Sequence, residues 1–176
     1  MILKIYTLIH VVISLLGILS GLVVLFGLIA GKRGDGWTKS FLATTVATSV
    51  TGFFFPFHGF TPAIAVGIIS LVLLAVAIYA RYARDLVGAW RKTYVITALF
   101  ALYLNVFVLI VQSFQKIPAL KSIAPTQNDL PFKLTQLVVL VAFIVLGILA
   151  AIRFRAEPVF ASAPNEQEIS IKQTST

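Results

Sequence analysis

The stretch IYTLIHVVISLLGILSGLVVLFGLIA, Ile5 to Ala30, holds no Asp, Glu, Lys or Arg. A helix rises 1.5 Å per residue and needs about 20 such residues to cross a hydrocarbon core about 30 Å thick, so this run is long enough to span a bilayer with some tilt. Four further stretches follow it: Trp37 to Phe55, Pro62 to Ala80, Tyr94 to Gln115 and Phe132 to Ala151. A bilayer interior offers no water to unpaired backbone amides, and none of the stretches alternates polar and apolar residues as a membrane barrel does, so each is expected to be a helix. The expected fold is all-α: an integral membrane bundle of five transmembrane helices over residues 1–155. The remaining residues, 156–176, contain few large apolar side chains and read as a disordered cytoplasmic tail.

Composition agrees with that class. Hydrophobic residues make up 59% of the chain and charged residues 11%, against about 25% charged in water-soluble domains. A net charge of +8 would point to nucleic acid in a soluble protein. Here its distribution points to topology instead. Lys32, Arg33, Lys39, Arg81, Arg84, Arg91, Lys92, Arg153, Arg155 and Lys172 fall on one side of the expected bundle; Lys4, Lys116, Lys121 and Lys133 fall on the other. The positive-inside rule makes the first side cytoplasmic, which gives an outside N-terminus and a cytoplasmic C-terminus in a bacterial inner membrane, with lipid and no nucleic acid as partner. The first run is too long for the apolar core of a secretory signal and is expected to be retained as a span. With no cysteine in the chain, disulfides, thiolate metal sites and iron–sulfur clusters are excluded.

Function has to be read from the polar groups held at membrane depth, because such groups are costly there, face the bundle interior and need partners. In the first span His10, Ser14, Gly17 and Gly21 share one helical stripe, and Gly17 and Gly21 form a GxxxG packing seam. The second span is crowded with hydroxyl and small side chains and ends in FFFPFHGFTP, Phe53 to Pro62, a tight outer turn that contains His58. The third has little polar content and is expected on the periphery. The basic segment after it, Arg81 to Thr93, reads as a surface facing anionic lipid. The fourth carries Asn105, Gln112 and Lys116 on one stripe. The outer segment from Pro118 to Phe132 contains Asp129 and is expected to cap that stripe as a lid if Lys116 pairs with Asp129.

Tyr103, Asn105, Gln112, Phe114, Lys116 and Pro118, followed by Ala124, Pro125, Thr126, Gln127, Pro131 and Phe132, form a pattern that resembles small bacterial inner-membrane protein families of unknown function. The resemblance implies a bacterial membrane setting, covers the last two spans best and brings no mechanism.

With the N-terminus outside, His10, His58, Asn105, Gln112, Lys116 and Asp129 gather towards the outer leaflet and form the candidate ligand-binding set. Two classes of function follow. One is an accessory or assembly subunit whose small-residue seams pack against a larger membrane protein or a second copy of the chain. The other is a pocket protein that holds a quinone, a lipid or a b-type haem, with His10 and His58 as the candidate axial pair. No metal site is expected, since Asp129 is the sole carboxylate near the two imidazoles. No catalytic residue is assigned either, because a Ser/His/Asp set would require an acid beside one of the histidines. The reading leans away from an enzyme.

Overall fold

A computed structural model describes residues 2–56 and 61–155; His58 and the segment 156–176 lie outside the described residues. All regular structure among them is helical, in the order α1 (Ile2–Ile29), α2 (Asp35–Gly52), α3 (Pro62–Ile78), a π-helical turn (Tyr79–Ala83), α4 (Ala89–Lys116), α5 (Pro118–Ile123) and α6 (Leu130–Arg153). Four helices are long and apolar enough to cross a membrane: α1, α3 with its π turn, α4 and α6. The expected fifth, α2, does not meet that measure. It has 18 residues, begins with Asp35, and carries Lys39 and a series of hydroxyls. The short α5 lies within the segment expected to form a lid.

The long helices close into a ring: α1 packs on α2, α2 on α3, α3 on α4, α4 on α6 and α6 back on α1, with α1 and α4 also touching across the middle. The glycine seam makes that crossing possible. A Cβ added at Gly21 would lie 2.5 Å from a Leu102 methyl and 2.8 Å from the Phe41 ring, and one at Gly17 would lie 3.3 Å from the hydroxyls of Thr44 and Thr45. α2 tolerates its polar content because those hydroxyls turn inward or back on the helix. Thr38, Thr45, Thr48 and Ser49 are buried. The Thr44 and Thr51 hydroxyls donate to the carbonyls of Ser40 and Ala47, each at 2.7 Å, a local bond that satisfies a hydroxyl without exposing it to lipid.

The placement expected for the third span is corrected. α3 packs between α2 and α4, with Ser70, Leu74 and Ala77 buried and Gly67 closed by the Phe53 ring. These positions, spaced three, four and three apart, form one stripe of mostly small residues that allows close approach. The outward-facing helix is α6, of which only Phe132, Gln136 and Ala150 are buried, while Leu134, Leu137, Val138, Val141, Ile144, Val145, Ile148 and Ile152 are exposed. A face of large branched side chains is what lipid tails solvate as readily as protein does.

Packing is uneven along the bundle axis. The main core gathers Leu25, Leu28, Phe41, Leu74, Leu86, Tyr94, Leu102 and Phe154 at the end where α1 finishes and α4 begins. An ion pair with one buried partner locks that end. Arg81, presented by the π turn and only 2% exposed, donates to the Asp35 carboxylate and, at 3.2 Å, to the Arg33 carbonyl, with its guanidinium 5.2 Å from the centre of the Tyr94 ring. Arg81 is thus a structural tie between three helices, where the sequence had suggested a lipid-facing cation. At the opposite end only a small cluster of Phe114, Ala124 and Phe132 closes α4 against α5 and α6.

Candidate functional site

The helices that meet tightly at the Arg81 end separate towards the other end and leave a cavity of about 670 Å³. Its walls are the first half of α1, the last turns of α2 with the residues just after it, the start of α3 and the second half of α4. The burial pattern gives the cause: in α1 the buried positions run from Gly17 to Leu28, and in α4 they run from Tyr94 to Leu104 and resume only at Phe114. Leu3, Val11, Leu15 and Leu109 keep large exposed surfaces beside the gap they line.

Four of the residues singled out from the sequence line this one cavity: His10 from α1, and Asn105, Gln112 and Lys116 from α4. Asn105 sits deepest, its amide 3.5 Å from the Thr45 hydroxyl and close beside Gly17. Seven and eleven residues further along the same stripe, Gln112 and Lys116 lie about 10 Å and 16 Å nearer the helix end. Asp129 does not line the cavity. Its carboxylate accepts from the Thr126 backbone N–H at 2.6 Å and the Thr126 hydroxyl at 2.9 Å, a local turn in front of α6. No ion pair joins Lys116 to Asp129 among the described residues, and residues 118–132 line none of the cavity, so the segment does not act as the expected lid. It folds instead against the end of α4, where the Phe114 and Phe132 rings meet edge to face at 5.5 Å. Gln136 also turns elsewhere, donating to the Phe107 carbonyl at 3.2 Å and tying α6 to α4.

His10 is held by groups that the sequence did not single out for it. Its Nδ1 lies 2.8 Å from the Thr51 hydroxyl, the Phe55 ring packs edge-on at 5.0 Å, and Tyr6, which also packs on Phe55, donates its hydroxyl to the Thr51 carbonyl at 2.5 Å. The Thr51 hydroxyl also lies 2.7 Å from the Ala47 carbonyl, so it serves His10 Nδ1 either as acceptor, its own proton going to Ala47, or as donor; both neutral tautomers of His10 fit this contact. The signal for Thr51 was present in the hydroxyl-rich second span, but pairing residues 41 apart requires the helix crossing.

The lining is mostly aliphatic and aromatic, with Lys116 as the only charged side chain among the described residues that form it. No group of three or more His, Asp or Glu suited to a metal ion occurs among the described residues. His10 is the one candidate haem ligand there; the second, His58, lies outside them. Comparison of the chain with protein-family models, curated proteins and solved structures gives no match, so the geometry of the cavity carries the functional argument.

Proposed function

We propose that the protein is a five-span membrane protein that holds a lipid-soluble amphipathic ligand, of the lipid, quinone or haem b kind, in the cavity between α1, α2, α3 and α4. The carrying observation is the cavity itself. Its 670 Å³ falls within the roughly 300–1,000 Å³ of ligand sites, and a mostly apolar wall with a few convergent polar groups is how such sites combine affinity with orientation. The reading is of binding; among the described residues no acid stands beside His10 to complete a hydrolytic set. α2 serves as the fifth span. At 18 residues it is about 27 Å long, and its hydroxyls are buried or bonded to its own carbonyls. The topology that supports this puts the Arg81 end in the cytoplasm of a bacterial inner membrane and the cavity in the outer half, because Arg33, Arg84, Arg91 and Arg153 cluster with Arg81 at the closed end. An accessory role beside a larger partner drew on the small-residue seams; Gly17 and Gly21 are filled by the chain's own Thr44, Phe41 and Leu102, which is why ligand binding takes precedence. The test is to purify the protein in mild detergent, record its absorption spectrum and analyse its lipid extract by mass spectrometry. A ligand retained near one per chain and lost in Gln112→Ala, with unchanged thermal stability, supports the reading. A preparation that retains nothing at stoichiometry overturns it.

A further inference from the structure

The cavity places a cation, three carboxamide or imidazole groups, several hydroxyls and an apolar wall in one space, and no carboxylate among the described residues. Lys116, in the last turn of α4 at the open end, has no counter-ion among the described residues, since both ion pairs there belong to Asp35 and Asp129 is engaged with Thr126. A cation bordering an apolar cavity is complemented by an anion that brings its own chain. Gln112 and His10 line the same space. A quinone has carbonyls and no charge, so it leaves Lys116 unmatched. A phosphate head group matches it, its ionised oxygens accepting from Lys116 and from the Gln112 amide at once. We propose that the cavity binds an anionic phospholipid, with its chains along the Val11, Leu15, Ile64 and Val108 wall and its phosphate between Lys116 and His10. This deepens the ligand-binding reading above and rests on it.

The experiment is native mass spectrometry of the full chain in a neutral detergent at pH 7. Four probes are titrated: phosphatidic acid, phosphatidylglycerol with the same chains, diacylglycerol with the same chains, and inorganic phosphate. Phosphatidic acid and phosphatidylglycerol are each expected to bind at least about tenfold more tightly than diacylglycerol, equivalent to about 1.4 kcal/mol. Lys116→Gln should remove most of that preference while leaving diacylglycerol binding as it was. Lys121→Gln, on α5 outside the cavity, should change neither. Equal binding of phosphatidic acid and diacylglycerol overturns the inference while leaving the cavity as a lipid site; failure of every lipid probe overturns the ligand-binding reading itself. A loss in Lys121→Gln as large as in Lys116→Gln overturns the inference in favour of general surface attraction. Inorganic phosphate binding as tightly as phosphatidic acid overturns the lipid as the source of the phosphate.

Discussion

Replacing Arg81 by alanine removes the one charged side chain that is fully buried among the described residues, together with three interactions. A charge-assisted bond to Asp35 contributes about 1.5–3 kcal/mol and the bond to the Arg33 carbonyl about 0.5–1.5. The guanidinium stacked on Tyr94 adds about 0.5–2 kcal/mol. Against these stands the desolvation of the guanidinium, several kcal/mol, which the alanine no longer suffers. The group left behind is Asp35, whose side chain is 67% exposed and rehydrates, so no charge is stranded. The three favourable terms total about 2.5–6.5 kcal/mol and the desolvation offsets several of these, so the net expectation is a loss of at most about 3 kcal/mol, up to about 10 °C in Tm by the scaling for domains of this size. The reverse substitution is asymmetric. Asp35→Ala leaves the buried guanidinium with only the Arg33 carbonyl and the Tyr94 face; since Asp35 is itself exposed, the cost falls below that of a fully buried pair, at about 2–3 kcal/mol. The double variant strands nothing and should be no less stable than Asp35→Ala alone. Thermal unfolding in one detergent, followed by tryptophan fluorescence, measures all three, since Trp90 lies one helical turn from Tyr94. Asp35→Ala unfolding within 2 °C of the unaltered protein, or a double variant markedly worse than both singles, would refute the assignment of this pair as the tie that closes the bundle.

Gly21→Ala should destabilise by about 1–3 kcal/mol through overpacking against Leu102 and Phe41, whereas Gly36→Ala, with nothing within 4 Å, should be neutral; urea or thermal titration in detergent separates the two. The absence of cysteine makes labelling unambiguous, and the proposed orientation predicts that an impermeant thiol reagent applied to intact cells modifies Ser122→Cys and spares Lys39→Cys. Thr51→Val deletes the hydroxyl that holds His10 Nδ1, so retention of the cavity ligand should fall about three- to tenfold, the loss of about one hydrogen bond, with little change in Tm because Val keeps the shape; an unchanged ligand content in the extract contradicts a role for this contact in positioning His10. Val141→Asp, on the exposed face of α6, should cost about 2.5–3.5 kcal/mol of membrane insertion, read as reduced yield of membrane-integrated protein relative to Val141→Leu.

The long apolar runs determined α1, α3, α4 and α6 without help from tertiary contacts, because backbone satisfaction in lipid leaves a single local solution and sets its length. The stripe of Asn105, Gln112 and Lys116 was equally legible, since spacing along a helix fixes which residues share a face. Sequence did not determine what those faces meet. Span three looked peripheral because an apolar run lacks polar markers, yet Gly67, Ser70, Leu74 and Ala77 form a close-approach stripe whose use depends on a neighbour. Asp129 looked like a partner for Lys116 on charge alone, while a turn three residues long satisfies it first. Arg81 looked like a surface cation; one π-helical turn brings it inward over Tyr94, and hydropathy carries no signal for that change. The cavity is wholly a product of assembly. It exists because Gly17 and Gly21 hold α1 against α2 and α4 in one half of the bundle while the helices separate in the other, and that difference is a property of pairs of helices that no single segment encodes.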